Sequence, residues 1–160
     1  IRSKVPGVII RTTFITGFPG ETEEQFTALA EFAKEIRFER LGCFAYSRED
    51  DTPAALMENQ IDEDIKEKRQ EIIMESQHII MEDYCKSLIG RTIDVLTEGF
   101  DKYAECYYGR SMADSPDVDG KVFFSASGKK PAEGDFVKVK ITDYLDCDPI
   151  GEAVDERLIQ

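Results

Sequence analysis

The stretch Arg11-Thr12-Thr13-Phe14-Ile15-Thr16-Gly17-Phe18-Pro19-Gly20-Glu21-Thr22 constrains the fold of this 160-residue chain more than any other. An apolar, β-branched run beginning at Val8 and reaching Phe18 reads as a buried strand. It stops at a Pro-Gly turn. Thr22 then stands as a helix N-cap with Gln25 three residues on, the spacing of a capping box. Glu21, Glu23 and Glu24 put negative charge at the positive end of the helix dipole. Phe26, Leu29, Ala30, Ala33 and Ile36 recur at helical spacing, and Leu41 to Tyr46 reads as a second strand. Strand, helix and strand form a βαβ unit, which predicts parallel strands and a right-handed crossover. The Gly17–Glu21 loop then lies where strand carboxyl ends meet a helix amino end, the edge at which α/β folds hold ligands. Glycines allow close backbone approach there, and helix-end N–H groups suit an anion. A tight turn that binds nothing has the same sequence pattern.

A parallel sheet is covered on both faces, so one βαβ unit implies further strands upstream of Ile1 or a second copy. The chain begins at Ile rather than Met, which suggests a fragment of a larger protein. Ser47 to Asn59 is loop-like. A long helix follows from about Asp62 to Ile89, with Ile65, Ile72, Ile73, Ile79, Ile80, Leu88 and Ile89 as its apolar stripe. Lys66, Lys68 and Arg69 alternate with Glu63, Glu67 and Glu71 on the expected wet face, and Gly90 is placed to end the helix. Short alternating runs then succeed one another: Thr92–Leu96, Ala104–Tyr108, Lys121–Phe124 and Phe136–Ile141. That rhythm predicts a small all-β barrel. The fold class is therefore α/β followed by all-β, with residues 1–88 as one part and 89–160 as the other.

The formal net charge is −13. From Lys86 to Gln160 ten Lys and Arg face fifteen Asp and Glu, and Asp114, Asp117 and Asp119 crowd one loop. Phosphate contacts need clustered cations, so a nucleic-acid platform is disfavoured and a basic protein partner fits better. Tyr103, Tyr107, Tyr108, Phe123 and Phe124 could stack bases or fill a barrel core. The four cysteines, Cys43, Cys85, Cys106 and Cys147, are far apart and form no C-x-x-C pair, which argues against a locally built metal site. His78 has no ligand or catalytic partner at useful spacing. Arg11, inside an apolar strand, needs an acidic neighbour or an anionic ligand if buried. There is no long apolar run and no signal peptide, so the expected location is the cytoplasm.

The stretch Arg11–Thr22, with Leu41–Ser47 and Asp51-Thr52-Pro53-Ala54, resembles the C-terminal part of radical-SAM methylthiotransferases. Gly90-Arg91-Thr92, Val95–Gly99 and Gly151-Glu152 look like the TRAM domain that ends them. Tyr108–Ser111 followed by Asp114–Gly120 is most similar to the RimO-type branch, which modifies an aspartate of the small-subunit ribosomal protein S-twelve. The resemblance implies the last strands of a partial TIM barrel plus an OB-like TRAM barrel. It implies S-adenosylmethionine and two 4Fe–4S clusters in a full-length parent, which supply radical chemistry that inserts a methylthio group at the aspartate β-carbon. The cluster-binding C-x-x-x-C-x-x-C triplet is absent, so this piece is expected to be inactive alone, with no catalytic or metal residue of its own. The rim at Gly17, Pro19, Gly20 and Glu21, joined by Arg11, Thr13, Phe44 and Tyr46, would lie near S-adenosylmethionine. The wider superfamily has a Gly-x-Ile-x-Gly-x-x-Glu pattern; here Thr13 stands in place of its first Gly and Glu21 falls one position late. The TRAM part would dock the basic ribosomal protein through acids such as Asp114, Asp117 and Asp119. A tRNA adenosine methylthiotransferase with an RNA-binding TRAM domain is one rival reading, and a non-catalytic acidic interaction module is another.

Overall fold

The structure is a computed structural model that describes residues 1–128 and 130–154. It divides into two compact units, residues 1–81 and 82–160.

In the first unit, β1 (Arg11–Thr16) and β2 (Arg40–Ala45) pair in parallel, joined by α1 (Glu23–Ile36). The capping box is present: Thr22 Oγ1 accepts from the Gln25 N–H at 3.3 Å, and Gln25 Oε1 accepts from the Thr22 N–H at 3.0 Å. Alternation along each strand sorts the side chains onto two faces. Phe14, Leu41 and Cys43 lie on the face that packs with Phe26, Ala33, Phe38 and Ile73. Arg11, Thr13 and Ile15 lie on the other, in register with Arg40, Gly42 and Phe44. That second face is uncovered within the unit: Ile15 is 56% exposed and Phe44 60%. The run that reads as a buried strand is therefore covered on one side only, in keeping with a lone βαβ unit that cannot cover both faces of its sheet. Its apolar residues serve two faces, and only one of them is packed here.

After α1 the chain is pinned by Arg2. Its guanidinium donates to the Ile36 and Arg37 carbonyls at 2.7 and 2.8 Å and pairs with Glu39. Glu39 also accepts the Ile10 N–H at 2.9 Å. Partial burial pushes the Glu39 carboxyl up, but the Ile10 N–H, its own N–H and the Arg2 guanidinium outweigh this and hold it below the usual carboxylate value. A depressed carboxyl stabilises the fold at pH above its unfolded value, near 4.3, and that contribution fades as pH falls through the folded value. Acid titration of unfolding is accordingly expected to show a loss of stability below about pH 4.5 that Glu39→Gln flattens; an unchanged slope in Glu39→Gln would refute the assignment.

The long helix α2 (Glu63–Leu88) forms where the sequence places it, and Gly90 ends it at φ +82°. Its buried stripe differs from the expected one. Lys66, Arg69, Ile73, Gln77 and Ile80 face inward, while Ile65, Ile79 and Ile89 are 44%, 60% and 45% exposed. Two cations placed on the wet face from the charge pattern are thus among the most buried residues of the helix.

The second unit is a closed five-stranded barrel. It comprises β3 (Thr92–Asp101), β4 (Cys106–Ser111), β5 (Val122–Ser125), β6 (Phe136–Leu145) and β7 (Asp148–Ala153), in the order β3-β4-β5-β7-β6 with β6 returning to β3. All neighbours are antiparallel except β5 and β7. Val95, Val122, Phe124, Val139 and Ile141 fill the interior, and Leu88 of the last helical turn joins them. Phe124 is core, stacked on Tyr107 at 5.6 Å between ring centroids. Tyr103, by contrast, is fully exposed.

Candidate functional site

The Gly17–Glu21 loop sits at the carboxyl end of β1, beside the residue that follows β2. Gly17 has φ +75° and Gly20 φ +84°, conformations that favour glycine. A Cβ on Gly17 would drive into the Lys66 side chain, so the missing side chain also makes room for that lysine.

The loop is held from below by α2. Arg69 donates to the Glu21 carboxylate at 2.6 Å, to the Glu21 carbonyl at 3.2 Å and to Glu23 at 3.0 Å. Glu21 in turn accepts the Gly17 N–H at 3.1 Å, and the Gly20 N–H donates to the Asn59 carbonyl at 3.0 Å. Arg69 also lies over the Phe26 ring at 5.2 Å. Lys66, 4% exposed, reaches Glu63 at 2.8 Å and lies 5.3 Å from the Tyr46 ring centre. Phe18 meets Tyr46 edge-on at 5.3 Å. Among the described residues, the buried Tyr46 hydroxyl has no hydrogen-bond partner, and neither has Arg69 Nε. Lys66 and Arg69 carried no local signal of this role, because the acid that anchors Arg69 lies 48 residues upstream.

The expected site residues thus divide by position. Gly17, Pro19, Gly20 and Glu21 form one rim with Tyr46 beneath it. The rim N–H groups of Gly17 and Gly20 and the capping-box N–H groups are engaged inside the protein, and Glu21 is committed to Arg69. The rim therefore offers shape and apolar surface rather than a ring of open donors. Thr13 and Phe44 lie on the uncovered sheet face. Arg11 is not brought to the rim: it starts β1, opposite Arg40, about 16 Å along the strand from Thr16 at 3.3 Å per residue.

In the barrel, the three aspartates shape their own loop. Asp114 accepts the Ser111 N–H at 2.9 Å and its hydroxyl at 2.6 Å, and Asp119 accepts the Ser115 N–H at 2.6 Å. Asp117 has φ +58°. Asp117 and Asp119 line a cavity of about 390 Å³ together with Glu98, Arg110, Lys121 and Glu133, a mixed-charge wall that contains the Arg110–Glu98 ion pair. A second cavity, of about 530 Å³, opens on the barrel over Phe123, Leu145 and Ile150 and is bordered by Asp146, Asp148 and Glu152.

The cysteines do not fit an iron–sulfur cluster. Cys43 is buried against Thr16, and burial pushes its thiol up; Cys85 donates to the Cys147 carbonyl at 2.9 Å. Among the described residues no group of three or more His, Cys, Asp or Glu is placed to hold a metal ion, and no helix is long and apolar enough to cross a membrane.

Comparison with known proteins agrees with both units. Residues 89–154 match the TRAM domain family, coinciding with the barrel. Over 156 residues, 98% of the chain, it is 45% identical to the ribosomal protein uS12 methylthiotransferase RimO of Clostridium botulinum strain Hall. The chain matches the C-terminal, TRAM-bearing part of RimO-type methylthiotransferases. The RimO proteins of Desulfitobacterium hafniense and Caldanaerobacter subterraneus are 47% and 49% identical over 96% and 92% of the chain. The chain spans about a third of the length of these RimO relatives, 34%, 34% and 33% in turn. The match to these proteins runs through both units, and the TRAM domain match falls on the second.

Proposed function

We propose that this chain is the TRAM-bearing part of a cytoplasmic enzyme that methylthiolates an aspartate of a basic small-subunit ribosomal protein, and that its barrel docks that substrate. One observation carries the reading: a single continuous match at 45% identity runs through both units to proteins named for acting on uS12. The charge supports it, since a chain of net charge −13 steers a cationic client and repels phosphate.

In this reading S-adenosylmethionine, when bound, supplies the radical chemistry, and the 4Fe–4S clusters are held by residues outside this chain. Thr13 and Phe44 on the open sheet face, with the Gly17–Gly20 rim, would form part of the wall against S-adenosylmethionine. Phe44 excludes water there. Glu21 and Arg69 hold the rim in place from behind rather than touching the cofactor, and Tyr46 buttresses Phe18. Arg11 has no part in this wall.

The test is calorimetric titration of the 160-residue chain with purified uS12. The dissociation constant is expected to rise at least about tenfold between 50 and 300 mM salt, because screening weakens opposite-charge docking. Equal affinity at both salts, or tight specific binding of a tRNA anticodon stem-loop in place of uS12, would overturn it.

A further inference from the structure

The 530 Å³ cleft on the barrel combines apolar and acidic side chains. Its apolar lining includes Phe123 of β5, Ile150 of β7 and Leu145 at the end of β6, the last 65% exposed. Its border carries Asp146, Asp148 and Glu152, and among the described residues no Lys, Arg or His lines it. The mixed-charge cavity around Asp117 differs, since Arg110 and Lys121 stand among its acids.

An apolar lining with an acidic border matches the side chains of lysine and arginine, whose aliphatic stems carry a charged head. We infer that this cleft is where the barrel grips its client, by taking a basic segment of polypeptide in which Lys or Arg alternates with apolar residues. The inference rests on the docking reading above in supposing a basic protein client, and it moves the contact from the Asp114–Asp119 loop to this cleft. A nucleic-acid strand is disfavoured because its phosphates would meet acidic side chains, and among the described residues no cation lines the cleft. A second copy of the chain is disfavoured because each copy carries −13.

Two aspartates make a matched test. Asp146 and Asp117 both hold left-handed backbone, φ +49° and +58°, and each borders one of the two cavities. Asn tolerates that conformation, so Asp146→Asn and Asp117→Asn each remove one charge and keep the turn. The experiment follows ¹⁵N-labelled chain by NMR on titration with uS12 and with a synthetic peptide of alternating Lys and Leu. Amide shifts are expected to gather at Phe123, Leu145 and Ile150. Asp146→Asn is expected to weaken uS12 binding about fivefold, and Asp117→Asn less than about twofold. Leu145→Ser, at a position outside the core, is expected to weaken it comparably and so reports on the apolar lining rather than on charge. If uS12 binds but its shifts lie around Asp117, or the two Asn variants lose affinity equally, the cleft assignment fails and the docking reading stands. Should the Lys–Leu peptide fill the cleft while uS12 does not bind, the docking reading fails and the cleft keeps its chemistry. Occupation of the cleft by an RNA stem-loop or by a second copy would overturn the inference.

Discussion

Arg69→Met is expected to cost the α/β unit about 3–5 kcal/mol, the range for removing one partner of a buried ion pair. The Arg69 side chain is 8% exposed and that of Glu21 13%, so the loss leaves a carboxylate largely cut off from water with no cation beside it. Methionine keeps the stem against Phe26, which separates the lost charge from lost packing. Glu21→Gln alone is expected to cost less, and the double variant to recover part of the Arg69→Met loss, since contacting partners are not additive. Cys43 provides the readout. It is buried in this unit, whereas Cys85, Cys106 and Cys147 belong to the other. Site-resolved alkylation along a urea series therefore reports each unit separately. A shift under about 1 kcal/mol at Cys43 would show that the rim does not depend on this pair.

Gly109→Ala is expected to destabilise the barrel by about 3 kcal/mol, at the upper end for overpacking a close-packed interior. Gly109 is buried in β4 opposite Thr97, and a Cβ there would fall inside contact distance of the Leu96 carbonyl and of Val95 Cγ1. Backbone cannot yield as a side chain can. Gly99→Ala is the informative contrast: its Cβ would meet the Tyr108 hydroxyl, the end of a side chain that can turn aside. Protection of Cys85, 1% exposed within the barrel unit, follows the loss. If Gly109→Ala and Gly99→Ala unfold at the same urea concentration, the tight approach at Gly109 is not what fixes the β3–β4 spacing.

The parts of the fold legible in the sequence were those written in local chemistry. The capping box at Thr22 and Gln25, the parallel pairing implied by strand, helix and strand, and the alternating runs of β3 to β6 each depend on residues a few positions apart. What escaped needed distant partners. Lys66 and Arg69 read as a solvated face because Glu21 and the space left by Gly17 belong to another element. Ile65 and Ile79 read as core for the same reason. Strand β7 was missed because Pro149 sits inside it and the hairpin before it turns on Asp146 and Cys147, both at positive φ, where Asn-Gly or Gly would have announced a tight turn. Arg11 went to the wrong end of its strand although chain direction alone puts the first residue of β1 far from the carboxyl rim. The large cleft had no sequence signal, since Phe123, Leu145 and Ile150 come from three strands that only barrel closure makes neighbours.

Closure of the five-stranded ring also limits how anything can hold on to it. With β6 returning to β3, every strand of the described barrel has two neighbours, which leaves only short stretches along which a visiting chain could extend the hydrogen-bond ladder. Adhesion to this module then falls mainly to side chains and turns. Its selectivity is then open to change one residue at a time, without dismantling the scaffold that displays them.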